Sequence, residues 1–413
     1  MRIFAWELKK IWNWRVLLLI AALFTLAYIT MLYPSLEGNY NSVAFTGKFT
    51  LEEMYDKYGD TLEPEEWADF NIEARYAEVN ARLDKAIIGD PLFAKYEIFS
   101  AADAEKINTS YDTWSKEKLE QFHNIDQPAM LEKLYAAGGS YYNYYTAYDM
   151  LQELTFIEAM FTETNLSWYY DARRNFRDDE RPVVRRLAEE YMASYNNNLI
   201  RRDITRNFSS VAAGAAVLAV VAVLVLTAPM LTTDRSRGIH YLQYASKTGR
   251  KLFRTQLLAT IVSAAGIGLL LIAAAYFITF AITDMSKYLH AHIAGYDSWM
   301  FYMYNPTLLQ YALLLGGITL AFCIGAACLA FILARYSANI VPMMIKSTPA
   351  AITLGVLAVY TANQALSSNN AVFNVVFRGA VLYSEAIFAA GITLIGLVAA
   401  AVVVLREKRA DVA

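Results

Sequence analysis

The 413-residue chain is poor in cysteine and in charge. Its two cysteines, Cys323 and Cys328, stand five residues apart, and neither falls in the polar stretch between residues 34 and 207. That stretch must hold together without disulfides, and no cysteine-based metal framework is open to the chain. Only 18% of residues are charged, against 56% hydrophobic, and the mean hydropathy is +0.27. Soluble domains carry about 25% charged residues, so this balance argues against an ordinary water-soluble enzyme. A net charge of −3 supplies no global field for nucleic acid. Common catalytic signatures are missing too: there is no G-x-x-x-x-G-K-[ST], no H-E-x-x-H and no G-x-S-x-G. Nucleotide phosphates cannot be cradled by the usual loop, and a membrane protease or lipase lacks its usual marks.

What the chain has instead is long uncharged runs. Val16–Tyr33 has no charge over 18 residues, about 27 Å of helix and about one hydrocarbon core. It is too long for a signal-peptide core and no A-x-A-like site follows, so it reads as a retained signal anchor. Further runs cover Phe208–Thr233, Thr255–Thr283 and Pro306–Ala334, and the pattern predicts a fifth span over Thr348–Leu366 and a sixth over Ser384–Leu405. Each must satisfy its backbone internally in lipid, which leaves only helix for runs of this length. No span carries a charge in its central half; Gln256, Gln310, Asn363, Gln364 and Glu385 all lie near span ends. Proton- and ion-coupled pumps usually place ionisable groups at mid-membrane. If this chain transports, energy enters from outside its membrane segment.

Lys and Arg in the short connections set the orientation. One side collects 15 of them, including Arg2, Lys9, Lys10, Arg15, Arg235, Arg250, Lys251, Arg335 and Arg406. The alternate short loops hold only Lys287 and Arg378. Both termini are expected inside and residues 34–207 outside. Arg201, Arg202 and Arg206 argue the other way, but long translocated segments largely escape the rule. Trp299, Phe301, Tyr302 and Tyr304 read as an interfacial aromatic belt ahead of span 4.

Residues 34–207 carry 19 Lys and Arg against 32 Asp and Glu, a balance of −13, so the remainder of the chain carries +10. This block is too long for a loop. Thr50-x-x-Glu53 and Ser100-x-x-Asp103 resemble capping boxes. Pro64 opens a predicted helix to Ile88, with Trp67, Phe70, Ala74, Ala77, Ala81 and Ile88 on one face. Pro182 opens another through Leu199 that runs toward span 2 as a stalk. The run Tyr141-Tyr142-Asn143-Tyr144-Tyr145 reads as helix packing or as an amphipathic surface for an apolar ligand. His290 and His292, with Asp284 and Asp297, read as solvated loop residues or as a metal site. Cys323 and Cys328 read as small packing residues.

The basic stretch Thr233–Ala259 also has Ile239, Leu242 and Ala245 at helical spacing, which suits a short amphipathic helix at a membrane surface, or a basic loop that only sets topology. Here the chain resembles the membrane subunits of ABC exporters of the type-2 class. Asp234 and Gly238 match that family's acidic-x-x-x-Gly spacing, Tyr241-Leu242 its apolar turn, Ser246, Arg250 and Lys251 its small-then-basic part, and Leu257-Leu258-Ala259 its exit. Ala245 stands where the family usually has proline, and Arg254-Thr255-Gln256 where it usually has Gly-Lys. Residues 1–15, with Phe4, Trp6, Lys9, Lys10, Trp12, Trp14 and Arg15, look like the elbow helix such proteins lay on the inner membrane surface.

The runs, caps and spacing predict an all-α membrane protein of six transmembrane helices with a mainly helical extracellular domain between helices 1 and 2; the resemblance covers most of the membrane half and none of residues 34–207. Residues 1–33 would form the elbow and helix 1, 34–207 the extracellular domain, and 208–413 helices 2–6 with a coupling segment at 234–251. The resemblance implies half of a dimeric exporter, homo- or heterodimeric, with ATP and Mg bound and hydrolysed on a separate ATP-binding subunit. That subunit would dock on the coupling segment through Asp234, Gly238, Tyr241, Leu242, Ser246, Arg250 and Lys251, while Trp6, Lys9, Lys10, Trp12 and Arg15 would meet membrane lipid. Residues 367–383 would dip back into the outer leaflet. No catalytic residue, metal or nucleic acid is expected on this chain, and its apolar spans and aromatic external domain favour an amphipathic, lipid-like, peptide or drug-like cargo. A membrane-anchored sensor or assembly factor is the alternative; a membrane enzyme ranks last, for want of a catalytic constellation.

Overall fold

The computed structural model describes residues 2–34, 36, 48–108, 114–137, 140–142, 145–161, 198–245, 247–293, 306–363 and 383–409. Among these described residues, six helices are long and apolar enough to cross a membrane: Trp14–Leu32, Ile204–Ser236, Lys251–Ile282, Leu308–Arg335, Ile340–Ala362 and Ser384–Glu407, here spans 1 to 6. This is a multi-pass membrane protein, almost wholly helical among the described residues.

Capping explains several starts. Asn13 accepts from the Arg15 N–H ahead of span 1, and Thr307 with Gln310 closes a capping box at the head of span 4. The helix of span 5 begins at Ile340, ahead of the expected Thr348, and runs on through Lys346 and Pro349. The helix of span 2 covers Arg202–Ser236, 35 residues, about 52 Å at 1.5 Å per residue. The hydrocarbon core is about 30 Å thick, so both ends stand clear of it.

Spans 2 and 4 are the most buried and spans 1, 5 and 6 the least. With little hydrophobic drive between helices in lipid, close packing uses small residues and hydroxyls. A Cβ added to Gly396 on span 6 would lie 3.3 Å from Cys328 Cβ and 3.7 Å from Gly325 Cα on span 4. Nearby, the Thr393 hydroxyl donates to the Ala321 carbonyl at 2.6 Å. Cys323 fills the space beside Gly268 of span 3; both cysteines are buried and free, as packing residues would be.

Between spans 1 and 2 lies a helical domain with its own core, built on Met54, Val79, Leu83, Phe93, Phe122, Met130, Tyr148 and Leu154. Several expectations need correction here. Thr50 is no cap: its helix starts at Lys48, and the Thr50 N–H donates to the buried Glu153 carboxylate. The helix from Pro64 breaks at Asn71, which takes a left-handed conformation at φ 49° and caps the next helix, Ile72–Ile87, a role Asn tolerates better than most residues. The break turns the second helix, so Ile72, Val79, Leu83 and Ile87 face the core and Ile88 is exposed. Ser140–Tyr142 and Tyr145–Thr146 form a short antiparallel hairpin where a helix was the packing alternative. No continuous stalk enters span 2, since Asn198 pairs with Thr61 as a β-bridge and Arg201 is extended. Residues 182–197, 299–304 and 367–382 lie outside the described residues.

Candidate functional site

At the end of the bundle away from the domain, span 2 finishes at Ser236 and the chain turns through Gly238 at φ 71°. That left-handed conformation suits glycine and strains other residues. A seven-residue helix, Ile239–Ala245, follows, and the helix carrying span 3 begins at Lys247. The expected coupling segment is thus divided: Asp234 belongs to the last turn of span 2, while Arg250 and Lys251 belong to the helix of span 3.

One carboxylate gathers these elements. Asp234 Oδ2 accepts from Gln243 Nε2 at 3.2 Å and from Gln256 Nε2 at 3.0 Å, with Lys10 Nζ 3.7 Å away. The Gln256 carbonyl oxygen in turn accepts from the Arg335 guanidinium at the end of span 4. Arg335 is flanked by the rings of Phe253 and Phe331 at 4.6 and 4.8 Å, and such desolvated cation–π contacts contribute about 2 kcal/mol. Asp234, Gln243, Gln256 and Arg335 are all at most 9% exposed. A lone buried charge is costly, whereas opposite charges bridged by an amide retain each other's field and satisfy most donors. On the N-terminal helix, the buried Glu7 carboxylate holds Lys10 at 2.8 Å. Burial alone would depress the Lys10 ammonium, but Glu7 and then Asp234 outweigh it and hold it above the ordinary lysine value. The cluster leaves Glu7 Oε2, Gln243 Oε1 and Arg335 Nε unpartnered.

The short helix is therefore fastened by its inner face. Gln243 binds Asp234, and the Tyr244 hydroxyl donates to the Glu407 carboxylate at the end of span 6. Its outer face carries Tyr241 at 61% exposure and Ile239 at 36%. Of the expected docking residues, Tyr241 lies on this open surface and Gly238 shapes it. Asp234 is a correction: it faces the interior, because the turn at Gly238 folds the short helix back over it. Lys251 is exposed; Ser246 lies outside the described residues, and only the backbone is described for Leu242 and Arg250.

The N-terminal helix Arg2–Ile11 divides similarly. Trp6 is 65% exposed with Lys9 over its ring at 5.6 Å, and Arg15 lies over Trp14, an aromatic and cationic surface suited to a membrane interface. Trp12 departs from the expected lipid-facing set: its indole N–H donates to Ser263 at 3.0 Å and its ring fills the space beside Gly266. Sequence reasoning missed Glu7, Gln243 and Arg335, and took Gln256 for a span-end residue. Signals existed: Glu7 is the one acid in a basic amphipathic helix, and Arg335 follows Phe331 by one helical turn.

A second feature is a groove of about 720 Å³ between spans 2 and 5, lined by Val217, Val221, Leu224, Ala351, Gly355 and Tyr360. Its walls are almost wholly apolar. Among the described residues, no three His, Cys, Asp or Glu side chains come together as a metal-ligand set. His292 pairs with Thr307 as a β-bridge, and Asp297 lies outside the described residues. No protein-family model, no characterised protein and no solved structure matches this chain.

Proposed function

We propose that this chain is the membrane permease subunit of an ATP-driven exporter, of the type-2 ABC class that its sequence resembles, and that a separate ATP-binding subunit docks on the helix Ile239–Ala245. One observation carries the reading: a short helix at one end of the bundle is tied by side chains to spans 2 and 6 while presenting Tyr241 outward. A loop that only sets topology has no need of such fastening. A helix that receives force from a partner needs an inner face locked to the spans and an outer face open to an anchor, and interface anchors are often aromatic.

In this reading the termini and the short helix are cytoplasmic and residues 34–207 extracellular, in the cell membrane. The apolar groove between spans 2 and 5 supports a lipid-like, peptide or drug-like cargo, and a second permease chain faces it in a homo- or heterodimer.

The test is association with the ATP-binding subunit at equal membrane expression. Tyr241→Ala with Leu242→Ala should reduce pull-down and transport-coupled hydrolysis at least tenfold, the effect of losing about 1.4 kcal/mol. Full association by that variant, or robust ATP hydrolysis by the purified chain alone, would defeat the reading.

A further inference from the structure

At the other end of span 2, the helix Lys48–Tyr58 of the domain lies against the bundle. Glu52 of that helix faces two cations from two separate parts of the membrane segment. Its Oε2 accepts from Arg201 Nη1 at 3.1 Å, immediately ahead of span 2, and its Oε1 accepts from Lys287 Nζ at 2.7 Å, in the turn Asp284–Tyr288 that follows span 3. Lys287 also reaches Asp56 at 3.0 Å, one helical turn further on. The Arg201 side chain is 1% exposed.

Apolar and backbone contacts reinforce the same seam. The Tyr55 hydroxyl donates to the Lys287 carbonyl at 3.0 Å, and the Tyr55 and Tyr288 rings stand 4.3 Å apart. The Leu199 N–H donates to the Asp60 carbonyl at 3.0 Å. A flexible tether would show contacts to one neighbour at most. Here one helix face touches both the approach to span 2 and the exit of span 3.

We propose that residues 48–58 clamp this end of the bundle, with Glu52 as the positioning residue that staples the start of span 2 to the connection after span 3. The domain then moves as one body with span 2, and these two elements cannot separate until Glu52 releases Lys287 or Arg201. Since span 2 carries Asp234 at its far end, a displacement of the short helix 239–245 that moves span 2 reaches the domain along one continuous helix. The clamp rests on contacts within the chain and stands whether or not the protein is an exporter.

The test is a distance measurement between spin labels on the full-length chain in lipid nanodiscs. Cys323 and Cys328 are buried, so labels at Lys116→Cys in the domain and His290→Cys after span 3 report alone. The parent pair should give one narrow distance distribution. Glu52→Gln should broaden it at least twofold, and Lys287→Gln should broaden it less, because the Arg201 arm remains. Combining the two should add less than the sum of their separate effects, since they share the Glu52–Lys287 pair and only the Lys287–Asp56 contact is lost in addition. A broad distribution in the parent, or an unchanged one in Glu52→Gln, overturns the clamp. Should Glu52→Gln fail to fold, Lys287→Gln decides, as its residue lies outside the domain: an unchanged distribution there overturns the proposal equally.

Discussion

At the domain-side end of span 2, Glu52 meets its cations directly, with Glu52 and Lys287 each about a quarter exposed. At the far end, Asp234 is joined to Arg335 through the Gln256 amide, with the whole group buried. Both arrangements bind three or more elements through one carboxylate. The difference lies in water. Where solvent reaches, a direct ion pair forms and breaks at modest cost. Where it does not, an uncompensated charge is expensive, so the partners stay fixed. The Glu52–Lys287 pair is therefore suited to release, whereas the buried Arg201 and the far cluster stay fixed.

The largest expected effect follows from that contrast. Asp234→Ala leaves the Gln243 and Gln256 amides without their acceptor and the buried Arg335 without its opposite charge, and should destabilise the folded chain by about 3 kcal/mol. Glu52→Gln keeps a side-chain oxygen for the buried Arg201 and loses the partly solvated pair with Lys287, and should cost about 1 kcal/mol. Thermal unfolding of the two purified variants beside the parent ranks them, and equal losses would erase the distinction.

Ionic strength sharpens it further. At 1 M salt the screening length is about 3 Å, so the stability gap between the parent and Glu52→Gln should shrink from its value in dilute buffer. The gap between the parent and Asp234→Ala should hold. The same unfolding assay run at both salts is sufficient.

Smaller effects come from titration. Burial would depress the Lys287 ammonium, but Glu52 and Asp56 outweigh it and hold it above the ordinary lysine value. A raised value means the contribution is complete below about pH 10.4, the unfolded value, and is lost as pH rises through the folded one. The advantage of the parent over Lys287→Gln should therefore be flat from pH 7 to 10 and fall above that. The smallest expected change is inside the domain. There Lys95, at 2.6 Å, and then Tyr96 hold the Asp126 carboxyl below its usual range. That contribution is complete above about pH 3.9 and disappears as pH falls through the lower folded value. Lys95→Met should remove this part of the acid limb, read as unfolding temperature against pH from 7 down to 2.

The six spans were legible because lipid excludes charge from long runs, and span 4 could be placed almost to the residue from the run Pro306–Ala334. For span 5 hydropathy marked the stretch from Thr348, whereas the helix itself begins earlier, at Ile340. In the domain, the Pro64 start was legible from its cap, but Asn71 looked like any polar helix residue. Its left-handed backbone then shifted every core position after it. At the candidate site, Tyr241 and Gly238 were readable as an exposed aromatic and a turn. Asp234 and Arg335 were not readable as partners, being about a hundred residues apart and joined only through Gln256.

The sequence by itself determined the number of spans, the acidic block between the first two, and the short basic connection between spans 2 and 3. Each follows from local chemistry: solvation of charge, helix length against membrane thickness, and the turn that glycine permits. Only the tertiary structure decided that Glu7, Asp234, Gln256 and Arg335 share one buried cluster, and that Glu52 spans Arg201 and Lys287. Those pairings depend on which helix faces which. Packing of the whole bundle sets that, and no segment of the chain carries it alone.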